Sequence, residues 1–187
     1  MIGAITAGIF SAPTAPVTNS YESIQTVTLS SSQANITFSS IPATFKHLQI
    51  RGISRSTDGG GADVTGRLQF NSDTATNYST HRLYGYGSSA GADAASTTNG
   101  ISFASVLADG NPASCFSGLV CDILDYKDTN KYKTTRSLSG GDYNTGGMMY
   151  LTSGNWRSTS AVTSILLFPS SGDWKQYSSF ALYGIKG

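Results

Sequence analysis

The chain is short of ionisable groups. Only 12% of its 187 residues are charged, about half the ~25% of ordinary soluble domains. Glu22 is the one glutamate, and there are six lysines and two histidines. A net charge of +1 leaves no electrostatic footprint for nucleic acid or an anionic membrane surface. No apolar run approaches the ~20 residues of a membrane-spanning helix, so neither nucleic-acid binding nor membrane insertion is expected. The scarcity of Glu and Lys also removes the usual filling of exposed helix faces. No segment of helical length carries an i, i+3, i+4, i+7 apolar stripe. Cysteine is scarce too: Cys115 and Cys121 lie six residues apart. On one strand face that separation is about 20 Å, beyond the ~7 Å Cα limit for a disulfide. Two buried, unbridged thiols are expected.

Hydroxyl groups replace the missing charge. Serine and threonine number 50, and glycine 21. Aromatics make up 11% of the chain, enough with the low net charge to exclude disorder. Period-two alternation marks strands: Val64, Leu68 and Phe70 oppose Thr65, Arg67, Gln69 and Asn71, and Leu48 and Ile50 oppose His47, Gln49 and Arg51. Leu119 to Leu124 and Ala161 to Phe168 are apolar on both parities, the pattern of central strands covered on both faces. Turn residues separate these runs, as in Asp58-Gly59-Gly60-Gly61, Asn99-Gly100, Asp109-Gly110-Asn111-Pro112 and Gly140-Gly141-Asp142. Strands are expected near residues 21–29, 34–41, 45–54, 64–71, 78–86, 99–107, 115–126, 131–139, 147–152, 161–168 and 177–186. Eight to eleven short strands at this spacing indicate an all-β sandwich or barrel. The specific expectation is a jelly-roll-like antiparallel β-sandwich, one domain over residues 21–187.

Residues 1–20 differ from the rest. Ile2, Ile5, Ile9 and Phe10 are followed by Ser11-Ala12-Pro13-Thr14-Ala15-Pro16, a semi-rigid extended linker. Positive charge ahead of the apolar stretch, the mark of a signal peptide, is absent. This reads as a short extended arm. Its four large apolar residues are candidate anchoring residues, since they would otherwise stay in water.

Patterns that carry chemistry are weak. His47 and His81 stand 34 residues apart with no cysteine at ligand spacing, so no metal site is expected. Asp58 to Asp63 is too poor in oxygen ligands for calcium. Gly87-Ser88-Ser89-Ala90-Gly91 matches a nucleophile elbow in letters but lacks the following helix. A glycosidase needs two facing carboxyls; Glu22, Asp122, Asp125, Asp142 and Asp173 offer no evident pair, and Asp122 and Asp125 fall on opposite parities. No catalytic residue and no cofactor is expected. Trp156 and Trp174 both follow turn signals, with Tyr143, Tyr150 and Tyr177 nearby in sequence. If exposed, Trp156, Trp174 and Tyr143 are candidates for stacking on sugar rings or for anchoring a protein partner. If not, they plug the ends of the core.

Several stretches resemble a widespread group of small virion proteins of tailed bacteriophages, notably cyanophages. They are Met1–Pro13, "NSYESIQTVTL", "ITFSSIPATFKHLQIRGISR", "LQFNSDTATNYSTHRLYG", "DILDYKDTNKYKTTRSLSGGD" and the terminal "YSSFALYGIKG". The resemblance spans essentially the whole chain and has no catalytic motif to transfer. It implies a non-enzymatic virion component on the external particle surface, a capsid decoration or cement subunit or the head of a fibre. It further implies a homotrimer, with other capsid or tail proteins as partners and the N-terminal arm as anchor. Host-surface polysaccharide is the alternative ligand, in a carbohydrate-binding module built on the two tryptophans.

Overall fold

The computed structural model describes residues 20–187, and the arm residues Ile2, Ile5, Ile9 and Phe10 lie outside the described residues. Twelve strands run through this part of the chain: β1 (Tyr21–Thr28), β2 (Ile36–Phe38), β3 (His47–Ser54), β4 (Asp63–Phe70), β5 (Tyr78–Tyr86), β6 (Ser89–Thr98), β7 (Ile101–Leu107), β8 (Ser117–Leu124), β9 (Lys133–Asp142), β10 (Gly147–Trp156), β11 (Ile165–Pro169) and β12 (Ser179–Ile185). They form two antiparallel sheets packed as a sandwich. The larger has eight strands in the order β1-β12-β3-β8-β9-β10-β5-β6, and the smaller has four, β2-β11-β4-β7. The expected all-β sandwich is therefore what the chain forms.

The core follows from the alternation. Leu48 and Ile50 of β3, Cys121 and Ile123 of β8, and Phe180 and Leu182 of β12 point inward and are fully buried. They meet Leu68 and Phe70 of β4, Phe103 of β7 and Ile165 and Leu167 of β11. The small sheet covers only part of the large one. Beyond its reach, β6 is exposed nearly throughout its ten residues.

Hydroxyl groups take the place of apolar side chains where the sheets come closest. In β9 the inward residues are Lys133, Thr135, Ser137 and Ser139, all buried, while Leu138 points to solvent. The alternation is thus inverted. The small hydroxyl side chains among them, Thr135, Ser137 and Ser139, let β7 approach the large sheet, and hydroxyls here do a second job. As an edge strand, β7 has backbone N–H groups with no ladder partner, and a buried one left unpaired costs about 1–3 kcal/mol. Ser139 Oγ accepts from Ser105 N at 2.9 Å, Ser117 Oγ from Leu107 N at 2.9 Å and Thr80 Oγ1 from Ser102 N at 3.2 Å. Gly154 of β10 is required by the same proximity, since a Cβ there would overlap Ile101 and the Thr135 hydroxyl.

Two buried cations organise the loops. Arg55 is fully buried. Its guanidinium donates to the carbonyl oxygens of Pro112 (2.6 Å), Asn111 (2.6 Å), Cys115 (2.8 Å) and Asp109 (3.2 Å), and to Asp109 Oδ1 (3.2 Å). Lys133 Nζ donates to the carbonyls of Asp128 (2.6 Å), Lys131 (2.9 Å) and Thr159 (3.1 Å). Burial pulls its pKa down. Cys115 and Cys121 are both free. Cys121 is buried as expected, but Cys115 lies ahead of β8 and is only half-buried, which corrects the expectation for that thiol.

Candidate functional site

Neither tryptophan is available to a ligand. Trp156 is 2% exposed and Trp174 fully buried. Trp156 closes β10 on the same inward parity as Met148 and Tyr150. It packs against Phe70 with ring centroids 5.4 Å apart and stacks on Tyr78 at 6.1 Å. Its indole N–H donates to Asp73 Oδ2 at 2.7 Å. Trp174 meets Phe180 edge-on at 4.9 Å and donates to Leu167 O at 3.1 Å. Each indole has found both its apolar contact and its hydrogen-bond acceptor inside the sandwich, so neither ring face can stack on a sugar. The stacking expectation for Trp156 and Trp174 is corrected on that ground: they plug the core. Tyr143 is half-buried and packs beside Leu107, Met148 and Tyr150.

Three of the candidate carboxylates are engaged by cations. Among the described residues, no three His, Cys, Asp or Glu side chains come together as metal ligands. Lys131 and then Lys46 hold the Asp125 carboxyl far below its usual range, at 2.7 and 2.9 Å. Asp122 accepts from Gln49 Nε2 at 2.7 Å and Arg136 Nη2 at 2.9 Å. Glu22 pairs with Lys186 at 3.1 Å. Each of these three acids faces a cation of its own. The stretch Gly87 to Gly91 joins β5 to β6 as a strand–turn–strand, with Gly87 at φ 56°; no helix follows it.

The outstanding surface lies on the outer face of the large sheet, away from the small one. Cross-strand register arranges it in rows. The central row runs Ala181, Arg51, Val120, Leu138, Leu151, Leu83 and Ala92 across seven strands. Beside it runs Ser179, Ile53, Gly118, Gly140, Met149, Gly85 and Ala90. Ile53, Leu83, Leu138, Met149 and Leu151 are 56, 59, 44, 54 and 49% exposed, although large apolar side chains are normally turned inward. A shallow depression of about 720 Å³ opens there, lined by Leu83, Leu151, Leu124, Ala94, His81 and Arg136 among others. This corrects the expectation that the doubly apolar β8 is covered on both faces. Its inward Leu119, Cys121 and Ile123 are buried, but Val120 and Leu124 stay half-exposed.

A polar ladder starts within the central row at Arg51 and runs along its border. Arg51 Nε donates to Gln49 Oε1 at 2.6 Å, Gln49 passes its own donor to Asp122, and Asp122 accepts from Arg136. The Arg51 guanidinium lies over the rings of Tyr21 and Tyr183, at 5.1 and 5.3 Å from their centroids. Both positive charges on this border are therefore spoken for, by a carboxylate or by aromatic faces.

No protein-family model matches this chain, and no curated protein does. A solved structure of a protein of unknown function from Shewanella oneidensis MR-1 aligns with 88% of this chain and 75% of its own, at 9% identity. Its TM-score of 0.24 is too low to carry an inference about fold or activity. The chemistry of the site therefore rests on its own residues. They offer an apolar, nearly flat face with a self-neutralised polar border, suited to packing against another surface.

Proposed function

We propose that this chain is a non-enzymatic structural component of a tailed-phage virion. It is an outward-facing β-module on the particle surface, a capsid decoration or cement subunit or the head of a fibre. It is held by the arm of residues 1–20 and assembled as a homotrimer with other capsid or tail proteins as neighbours. The observation that carries this reading is the uncovered apolar face formed by Ile53, Val120, Leu138, Leu151 and Leu83. A contiguous patch of this kind marks a surface meant to be covered.

Two further considerations support it. The sequence motifs read above as resembling small phage virion proteins point the same way. The strand order also fits a jelly roll once the β8–β9 hairpin and the flanking β1 and β12 are set aside: four strands, β2-β11-β4-β7, face another four, β3, β10, β5 and β6. A double-sheet jelly roll is a common architecture of capsid modules. The surface, rich in hydroxyls and glycine and poor in lysine, suits a rigid external part.

Deleting residues 1–16 tests the anchor. The expected result is a domain that folds normally but no longer enters particles, read by mass spectrometry of purified virions. Normal incorporation of the truncated chain would refute the anchoring role.

A further inference from the structure

We infer that the outer face of the large sheet is where copies of this chain meet one another, with the row Val120–Leu138–Leu151–Leu83 at the centre of the contact. This deepens the assembly reading above, on which it rests, by naming the occupant of the face.

Size favours a protein surface of this kind. Eight strands about 4.8 Å apart and some eight residues long make a face roughly 38 by 27 Å, on the order of 1,000 Å². A stable protein–protein contact needs about 800 Å² from each partner. The face is therefore just large enough to be one complete interface.

Charge favours a second copy. The chain carries a net charge of +1, so like molecules barely repel. On the face itself, Asp122 is neutralised by Arg136, and Arg51 is sheathed by Tyr21 and Tyr183. No carboxylate or lysine lies within the two apolar rows to penalise another copy packed against them; Asp142, one row beyond Gly140, is at their edge. A partner chosen by charge would find little here to select.

Shape agrees. Gly118 and Gly140 fall in register between Ile53 and Met149, with Gly85 on the far side of Met149. Met149 Sδ lies over Gly140, while the space above Gly118 is open, so a hollow lies at Gly118 beside Ile53. Leucine side chains of another copy can enter it, as inner faces of packed sheets interdigitate about 10 Å apart. The sequence pattern points the same way. In β9 and β10 the hydroxyls Ser137, Ser139 and Thr152 are inside and Leu138, Met149 and Leu151 outside, an arrangement that leaves apolar area to be buried only in an assembly.

Sedimentation velocity and light scattering on the full chain test this at 1–200 µM, on the order of concentrations that span weak to strong association. The expected result is a discrete multimer. Leu138→Glu and Leu151→Glu together are expected to give a monomer with unchanged circular dichroism, raising the dissociation constant at least ~100-fold. Thr37→Glu, exposed on β2 of the small sheet and so on the other side of the sandwich, should leave the multimer intact. A monomeric full chain at 200 µM would overturn the inference, as would a multimer indifferent to both glutamates. So would association that appears only when residues 1–19 are deleted, since the chain's own arm would then be the cover. If the double variant fails to fold, Leu151→Cys with a short bis-maleimide replaces it. Crosslinked multimers above the wild-type background support the contact, and their absence overturns it. Failure here leaves particle incorporation, and with it the virion reading, standing.

Discussion

Replacing Arg55 by methionine removes five hydrogen bonds from a fully buried guanidinium. Four of the acceptors are backbone carbonyls between Asp109 and Cys115, gathered from one loop onto one side chain. Methionine fills much of the volume but donates nothing. Each bond to a charged donor is worth about 1.5–3 kcal/mol, yet the sum overstates the loss. The variant no longer has to desolvate a guanidinium, and the loop can turn some carbonyls to water. Asp109 is also not orphaned, because Lys175 still pairs with it. Breaking a buried charged cluster from one side costs about 3–5 kcal/mol, and the surviving Lys175 contact places Arg55→Met toward the lower part of that range. For a domain of this size each kcal/mol lowers Tm by roughly 2–4 °C, so a fall of about 6–12 °C is expected. Arg55→Lys, with three donors on one nitrogen, should fall between. Urea denaturation gives the free energy. Hydrogen exchange should show the loop from Asp109 to Cys115 losing protection first. A loss under about 1 kcal/mol with that loop still protected would refute the idea that one cation organises it.

Three other perturbations have defined outcomes. Gly184→Ala sets a Cβ into the Phe45 ring and should cost about 1–3 kcal/mol, measured by urea denaturation. Trp174→Ala should cost about 3–5 kcal/mol; in the wild type both indoles should emit at short wavelength, unquenched by soluble polysaccharide. Burial pushes the Tyr78 hydroxyl up to about 12. The folded state therefore holds this proton above the ordinary value near 10, and its contribution is intact below pH ~10 and lost between there and pH ~12. Tyr78→Phe should flatten that part of the stability–pH curve.

The sandwich was legible because most strands obey a two-residue period, as β3, β4 and β12 do. The missing strand, β6, reads Ser-Ala-Gly-Ala-Asp-Ala-Ala-Ser-Thr-Thr. It has no apolar alternation because neither of its faces meets a core, so only its ladder with β5 defines it. The turn signals that flank both tryptophans leave stacking and core plugging open, and the structure decides for the core. Trp156 shares its parity with Met148 and Tyr150, which is the better guide to its burial. For Arg55 and Lys133 there was no such sign, since a cation satisfied by loop carbonyls depends on chain folding far from it in sequence. The doubly apolar β8 did carry a true signal. Its second face is simply not covered by this chain.

The overhang of β6 has a practical consequence. The last hairpin of the large sheet projects past the smaller one, tied by its ladder and by the bidentate Arg82–Asp93 pair at 2.7 Å. Its tip, Gly87-Ser88, can be lengthened without disturbing any buried side chain. Foreign peptides spliced there would be carried on the domain like a flag on a mast, leaving the sandwich free to fold beneath them.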